Sequence, residues 1–536
     1  MKRRMGVLPE NFDCPNPMRT VFNPQMSLDG VDIGAIYLDP KSRDDIPQIL
    51  RGLQHIYTEP ALRERVFTLL REVLPYRVKG EGKADATTGR PGMEQWRILV
   101  LGVLRLGLNA DFDRIHELAN QHSTLRQMLG HGDWSDKTEY KAQTLKDNLR
   151  LFTPELLDRI NQAVVDAGHV LVKKKDLQGC LAARCDSFVV ETHVHYPTDI
   201  NLLWDATRKT IEIAADLAEA HGLTDWRQSK FNLRQLKKLY RKAQKLKHST
   251  SKDEDKREEK QAEMREAHRV YIEQAQVYLD RAHETRRLLS HLVLAEVFLG
   301  ELDQFMVHAA RQLKQIERRV LQGQSIPHGE KVFSLFQPHT EWISKGKAGV
   351  PVELGLRVCV VEDQYRFILH HQVMENITDD VVAVPIVEET KQRFGPLRSI
   401  SMDKGFHTKD NQIKLKALAE LVVLPKKGKL SAVDKARESD AEFVRLRHQH
   451  SAVESAINAL EQHGLDVCRD HGIVGFKRYV ALAVVARNVQ RLGAVLRQQE
   501  TERIRGPTTV RLKVEQIQLV SGVRRIGMGQ IGLQGA

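Results

Sequence analysis

Three carboxylates stand where the chain is patterned to turn from a strand or a buried helix face toward solvent. Asp186 lies in CDSFVVETHVHYPTD (185–199), Asp403 ends LRSISMD (397–403), and Glu454 lies in RHQHSAVESAI (447–457). Carboxylate oxygens are the donors a hard divalent cation takes, usually one or two at a time with phosphate oxygens and waters in the remaining positions. Two such ions, roughly 3.5–4 Å apart, activate a water or hydroxyl and stabilise the leaving oxygen of an in-line phosphoryl displacement. Arg447 and His450 precede Glu454 by seven and four residues, which on one continuous helix places all three close to one face. An acid flanked by an arginine and a histidine suits a site holding both a metal ion and a phosphate. Singly, any one of the chain's 70 acids reads as a surface charge.

Elements able to position these residues are legible in the patterning. Alternation predicts a strand over 180–196, which Asp186 is expected to open. Further strands are expected at VFSLF (332–336), VPVELGLRVCVVED (350–363), QYRFILHHQVMEN (364–376), LRSISMD and LVVLPKKGK. Helices are expected at ITDDVVAVPIVEETKQRFG, at HTKDNQIKLKALAE and across about 440–498. Alternation of strands and helices predicts an α/β layered sheet. Asp403, followed at once by Lys404 and Gly405, falls at the carboxyl end of a strand, where open α/β sheets gather their sites. Val453, Ile457 and Leu460 mark a buried stripe, with Glu454 at its rim.

Residues 1–45 lack periodicity and predict an irregular arm. Residues 46–175 read as helical, with MEQWRILVLGVLRLGL, DFDRIHELANQH and STLRQMLGH spaced as a helix-turn-helix could be. From 205 to 330 the chain is helical and heavily charged. WRQSKFNLRQLKKLYRKAQKLKH is a basic amphipathic helix, and the whole block predicts an antiparallel coiled-coil hairpin inserted within the α/β domain. Residues 499–536 form a basic tail.

The 536 residues carry 82 Lys and Arg against 70 Asp and Glu, a net charge of +12 and a pI near 9.3. That excess suits a polyanionic partner. Five scattered cysteines without a CxxC pair indicate a reducing compartment and offer no thiolate zinc site. The amino terminus lacks the apolar core of a signal peptide, and ILVLGVL (98–104) and YVALAVVA (479–486) are too short to span a bilayer. The expected location is the cytoplasm, with no membrane partner. No P-loop is present, which argues against an ATP-driven mechanism.

Taken together, DSFVVETHVHYPTDINLLWD, MDKGFHTKDN and RHQHSAVESAINALEQHGLDVCRDHGIVGFKRYVALAVVARNVQRLG resemble the bacterial insertion-sequence transposases of the DDE class. The resemblance covers roughly 180–204 and 330–495, and 90–130 is similar to the amino-terminal domain of the same enzymes. It implies a ribonuclease H-like catalytic domain (176–204 and 331–498) with a large helical insertion (205–330), preceded by an all-α amino-terminal DNA-binding domain. Asp186, Asp403 and Glu454 fall on the family's two aspartates and glutamate, and would be catalytic ligands of two Mg²⁺ (or Mn²⁺) ions. Lys404, Arg447 and His450 would position DNA phosphates. Partners would be double-stranded DNA, at terminal inverted repeats and at target sites, and a second copy of the chain. The His195–Asp199 turn is a family hallmark read as structural. Unlike relatives with an insertion between the second aspartate and the glutamate, this chain separates Asp186 from Asp403 by 217 residues and Asp403 from Glu454 by 51.

Two weaker motifs remain. His193 and His195 alternate on one strand face as a zinc pair would, though without an obvious third ligand. KKGK (426–429) could contact a phosphate backbone or simply be solvated. The rival functions are a transposase-derived DNA scaffold and a metal-dependent nuclease that cuts without strand transfer.

Overall fold

The computed structural model describes residues 20–23, 30–73, 92–132, 136–172, 180–246, 252–291, 296–344 and 351–505. The chain divides into two compact units, the first comprising Met1–Val190, Arg357–Asp470 and Val474–Ala536, the second Glu191–Leu356 and His471–Ile473.

Among the described residues the first unit opens with the α-helices α1 (Asp45–Thr58), α2 (Pro60–Leu70), α3 (Gln95–Gly107), α4 (Phe112–Gln121), α5 (Ser123–Met128), α6 (Ala142–Leu149) and α7 (Pro154–Val172). All of α3 except Arg97 is buried, as its unbroken apolar run requires. The segments proposed as a helix-turn-helix are α3, α4 and α5, and α5 has only six residues.

Strand β1 (Leu181–Thr192) follows, then helices α8 to α11 and strand β2, which belong to the second unit. The first unit resumes at Arg357, within β3 (Val352–Glu362), and continues through β4 (Ile368–Met374), α12 (Asp379–Phe394), β5 (Leu397–Met402), α13 (Lys409–Leu415) and β6 (Ala419–Val423). Its sheet runs β4-β3-β1-β5-β6. β3 and β4 are antiparallel, whereas β1 with β5 and β5 with β6 are parallel. Arg184 meets Glu362 while Cys185 meets Cys359, so partner numbers fall as β1 advances and β1 runs antiparallel to β3. The architecture is mixed α/β.

The carboxyl-terminal helical region is segmented. α14 (Ala432–Glu438), α15 (Ala441–His450) and α16 (Ala452–Leu460) precede the short β7 (Val467–Cys468), which pairs with β1, and α17 (Gly472–Arg505). The stretch expected to be helical over 440–498 is so for the most part, but the one helix expected to carry Arg447, His450 and Glu454 is corrected: α15 ends at His450 with Ser451 as its cap, and Gly464 at φ 90° turns the chain before β7. VFSLF (332–336) is not a strand. Ser334 Oγ accepts from Gln337 N–H, and Gln337 C=O accepts from Thr340 N–H, so side chain and backbone close a turn there. β2 (Glu341–Ser344) pairs instead with the start of β3.

Sequence separates the amino-terminal helices from the α/β region, but both lie in one compact unit. Gly52 and Gly493 let α1 and α17 touch backbone to backbone: a Cβ on Gly493 would lie 1.9 Å from Gln48 O. Buried Asn488 on α17 accepts from Ile368 N–H and donates to Ile368 C=O and Asn161 Oδ1, joining α17, β4 and α7. Among the described residues one helix, Gly472–Ile504, is long and apolar enough to cross a membrane, and 72% of its apolar window is buried within the protein.

In the second unit α8 (Asp199–Ala220), α9 (Ser229–Lys245), α10 (Glu254–Leu289) and α11 (Glu296–Ile316) share one core that includes Leu203, Leu236, Tyr271 and Leu302. α8 packs against each of the other three. Four helices around a common core replace the expected two-helix coiled-coil hairpin, because α8 and α9 each carry an apolar stripe that must also be buried. The basic tail beyond 505 and most of the arm before 30 lie outside the described residues, as does Cys14.

Candidate functional site

Strand register brings two of the three acids together. β1 and β5 pair in parallel up to Cys185 with Met402. Asp186 and Asp403 are each one residue further on, on neighbouring strands of a ladder whose spacing is about 4.8 Å. Asp186 is the sixth residue of β1, so it lies inside the strand and does not open it as the sequence predicted. The reason is that 181–185 already pair with β5.

The Asp186 carboxylate accepts from Ser187 N–H at 2.7 Å. Burial, and then the charges of Asp403, Asp379 and Glu454, push its pKa up to about 6 against the pull of that hydrogen bond. The charges of the other two acids singled out from sequence thus both reach Asp186. Asp403 is exposed, and its Oδ1 accepts from Lys404 N–H at 2.6 Å where the strand exits into a short turn.

Glu454 is presented by packing behind it. Phe443 and Leu446 of α15 seat on Leu421 and Val423 of β6, and Val453, Ala456 and Leu460 bury the inner face of α16. Glu454 remains exposed in the first turn of α16. His450, the last residue of α15, is half-buried, and its Nδ1 lies 3.1 Å from Ser401 Oγ. Burial lowers its pKa, with Arg184 adding to the effect, while Asp403 and Glu454 oppose it. Arg447 does not share a continuous helix with Glu454, since α15 stops at Ser451. Lys404 and Arg447 are exposed.

A fourth acid was not singled out from sequence. Asp379, the first residue of α12, accepts from Ser187 Oγ at 2.6 Å. A Cβ on Gly405 would lie 3.2 Å from Asp379 Oδ2, so that glycine lets the turn after Asp403 come close. The only sequence signal for it is ITDD, which reads as an ordinary helix start, a Thr at the N-cap followed by acids that favour the helix dipole.

Behind the site, Arg184 pairs with buried Glu362 at 3.0 Å. Burial raises the Glu362 pKa to about 7 despite that cation. Cys185 and Cys359, both buried thiols, lie 3.4 Å apart between β1 and β3.

Hard oxygen donors that repel one another around a half-buried carboxylate fit a divalent cation chemically. They are not closed on one point, however. Among the described residues no three His, Cys, Asp or Glu side chains form a group that could hold a metal ion. Of the two histidines considered as a zinc pair, His195 contacts Asp205 at 3.3 Å. The turn after it is structural, with Thr198 capping α8 and Asp199 paired to Arg319. In KKGK, Lys426 is engaged by Asp434 within the same unit. No protein-family model, curated protein or solved structure matches the chain.

Proposed function

We propose that the protein is a DDE transposase, a DNA phosphoryl transferase with a ribonuclease H-like catalytic domain. The observation that carries this reading is the parallel register that sets Asp186 beside Asp403, with the charge of Glu454 also reaching Asp186, although the three lie 217 and 51 positions apart in sequence. A mixed sheet with Asp186 on its central strand and Asp403 at the end of the adjoining parallel strand supports the finer fold assignment.

In the proposed reaction a water attacks the scissile phosphate at a transposon end and frees a 3′-hydroxyl. That hydroxyl then attacks a phosphate of target DNA in the same site. Asp186, Asp403 and Glu454 would hold Mg²⁺ or Mn²⁺, two ions when phosphate oxygens complete their shells, and the metal when bound supplies Lewis-acid polarisation of the phosphate and a nucleophile at neutral pH. Asp379 and Ser187 keep β1 and the turn after Asp403 at a fixed separation. His450 lies between Ser401 and the acids, so at neutral pH it serves as a polar partner without a full charge. Lys404 and Arg447 offer exposed cations to the DNA backbone. Joining two transposon ends calls for at least two copies of the chain.

The test is a labelled duplex carrying the element's own end, incubated with Mg²⁺ or Mn²⁺ and scored for nicking and for joining to a plasmid. Wild type is expected to do both, and Asp186→Asn and Glu454→Gln neither. Nicking without joining would make the protein a nuclease. DNA binding without metal-dependent cleavage in wild type would make it a scaffold.

A further inference from the structure

Helix α9 carries seven exposed cations, Lys230, Arg234, Lys237, Lys238, Arg241, Lys242 and Lys245, along one face. At 100° per residue all seven fall within an arc of about 140°. Buried Asn232, Leu236 and Ala243 occupy the opposite side. The helix contains no Asp or Glu.

Among the described residues none of the seven makes an ion pair. Arg234 donates only to the backbone carbonyl of Lys230, and Lys237 lies 5.7 Å from the centre of the Trp204 ring. The neighbouring α10 is the contrast within the same unit. It mixes both signs along its length and pairs them internally, as Arg257 with Glu254, Arg269 with Glu266 and Glu273, and Arg287 with Glu284. Like charges three and four residues apart on a helix repel. On α9 the charge of Glu266 on α10 reaches Lys242, but that acid is paired with Arg269, so the row keeps its cations out of ion pairs among the described residues and is suited to an external anion. From Lys230 to Lys245 the row spans about 22 Å, and a duplex of that length presents one phosphate charge per roughly 1.7 Å of axis.

We infer that α9 is a docking surface for the phosphate backbone of double-stranded DNA. This rests on the DNA partner of the function proposed above and names the surface that would hold it. A basic amphipathic helix can instead lie on an anionic membrane, but it does so by burying its apolar side in lipid. Here that side is already spent in the core of the second unit, where Leu236 is fully buried and Ala243 nearly so. Backbone contacts of this kind carry no sequence preference, so binding through α9 is indifferent to sequence and strongly salt-dependent.

The test uses the full chain and a random-sequence duplex of about 40 base pairs in EDTA, with affinity measured against salt concentration. Arg234, Lys238, Arg241 and Lys245 are changed together to Gln, which keeps helix propensity. In a control, Arg257, Lys260, Arg265 and Arg269 of α10 are changed to Gln. The α9 variant is expected to bind more than about tenfold more weakly at 0.1 M salt, with a log–log salt slope shallower by about 3–4. The control, of equal net charge, is expected to stay near wild type, and circular dichroism checks that both variants are folded. A folded α9 variant with wild-type affinity and slope would overturn the inference. Equal weakening in the control would also overturn it, since net charge would then suffice. Loss of binding to phosphatidylserine vesicles with duplex binding intact would give the face to membranes. The nicking assay stands apart. An inert but DNA-binding wild type removes the transposase and leaves α9, whereas active protein with a dispensable α9 does the reverse.

Discussion

Ser187 Oγ donates to Asp379 Oδ1 at 2.6 Å, so the residue after Asp186 is fastened to the first turn of α12. Asp379 thereby sits between the strand bearing Asp186 and the turn bearing Asp403. Groups that orient metal-binding side chains typically change metal affinity or activity by about 10–100-fold when removed. Asp379→Asn is expected to raise the Mg²⁺ concentration needed for half-maximal nicking by about that factor. Ser187→Ala, which removes only the tie, is expected to do so more mildly. A Mg²⁺ titration of nicking checks both, and unchanged curves would reduce Asp379 to a helix cap.

Divalent metal should stabilise the protein through the acids themselves, without any DNA. A ligand that binds only the folded state adds about 2.7 kcal/mol at a hundred times its dissociation constant. Mg²⁺ or Mn²⁺ is expected to raise the thermal midpoint of wild type, and EDTA to reverse it. Asp186→Asn and Asp403→Asn should lose the response. Calorimetry of the three proteins with and without metal decides this.

Glu362 supplies a pH dependence of known sign. Its folded pKa, about 7, is raised above its ordinary 4.5 by burial. Such a group contributes stability that is complete below the unfolded value and is lost as pH rises through the folded one. Unfolding free energy should therefore fall between about pH 4.5 and 7, by about 3 kcal/mol from this residue. Glu362→Gln should flatten that segment of the profile, measured by urea denaturation at a series of pH values. A mutant profile parallel to wild type would show that another group titrates there.

Gly493→Ala tests the crossing of α1 and α17. The added methyl would stand 1.9 Å from Gln48 O, a backbone atom that cannot swing away. Overpacking at a close contact costs about 1–3 kcal/mol, and the loss should appear as a lower urea midpoint with the slope unchanged. Gly222→Ala, which meets nothing within 4 Å but holds φ 74°, should cost about 1 kcal/mol through backbone strain alone.

What the sequence determined by itself was local. Period-two alternation marked β1, β3 and β4, and the 3.6-residue stripe marked α9 and its cationic face, because each pattern needs only near neighbours. Asp403 was visible for the same reason, as an acid where an apolar strand meets Lys-Gly. Tertiary structure decided which acids meet. The parallel register of β1 on β5 places Asp186 beside Asp403 across 217 residues of chain. Asp379 joins them only because α12 starts against Ser187, and in sequence it cannot be told from a helix-starting acid. The stop of α15 at Ser451, the turn at VFSLF and the shared core of four helices were likewise settled at a distance. Each depends on how hydrogen-bonding groups and apolar faces are met by remote partners, and a short window of sequence holds no record of those partners.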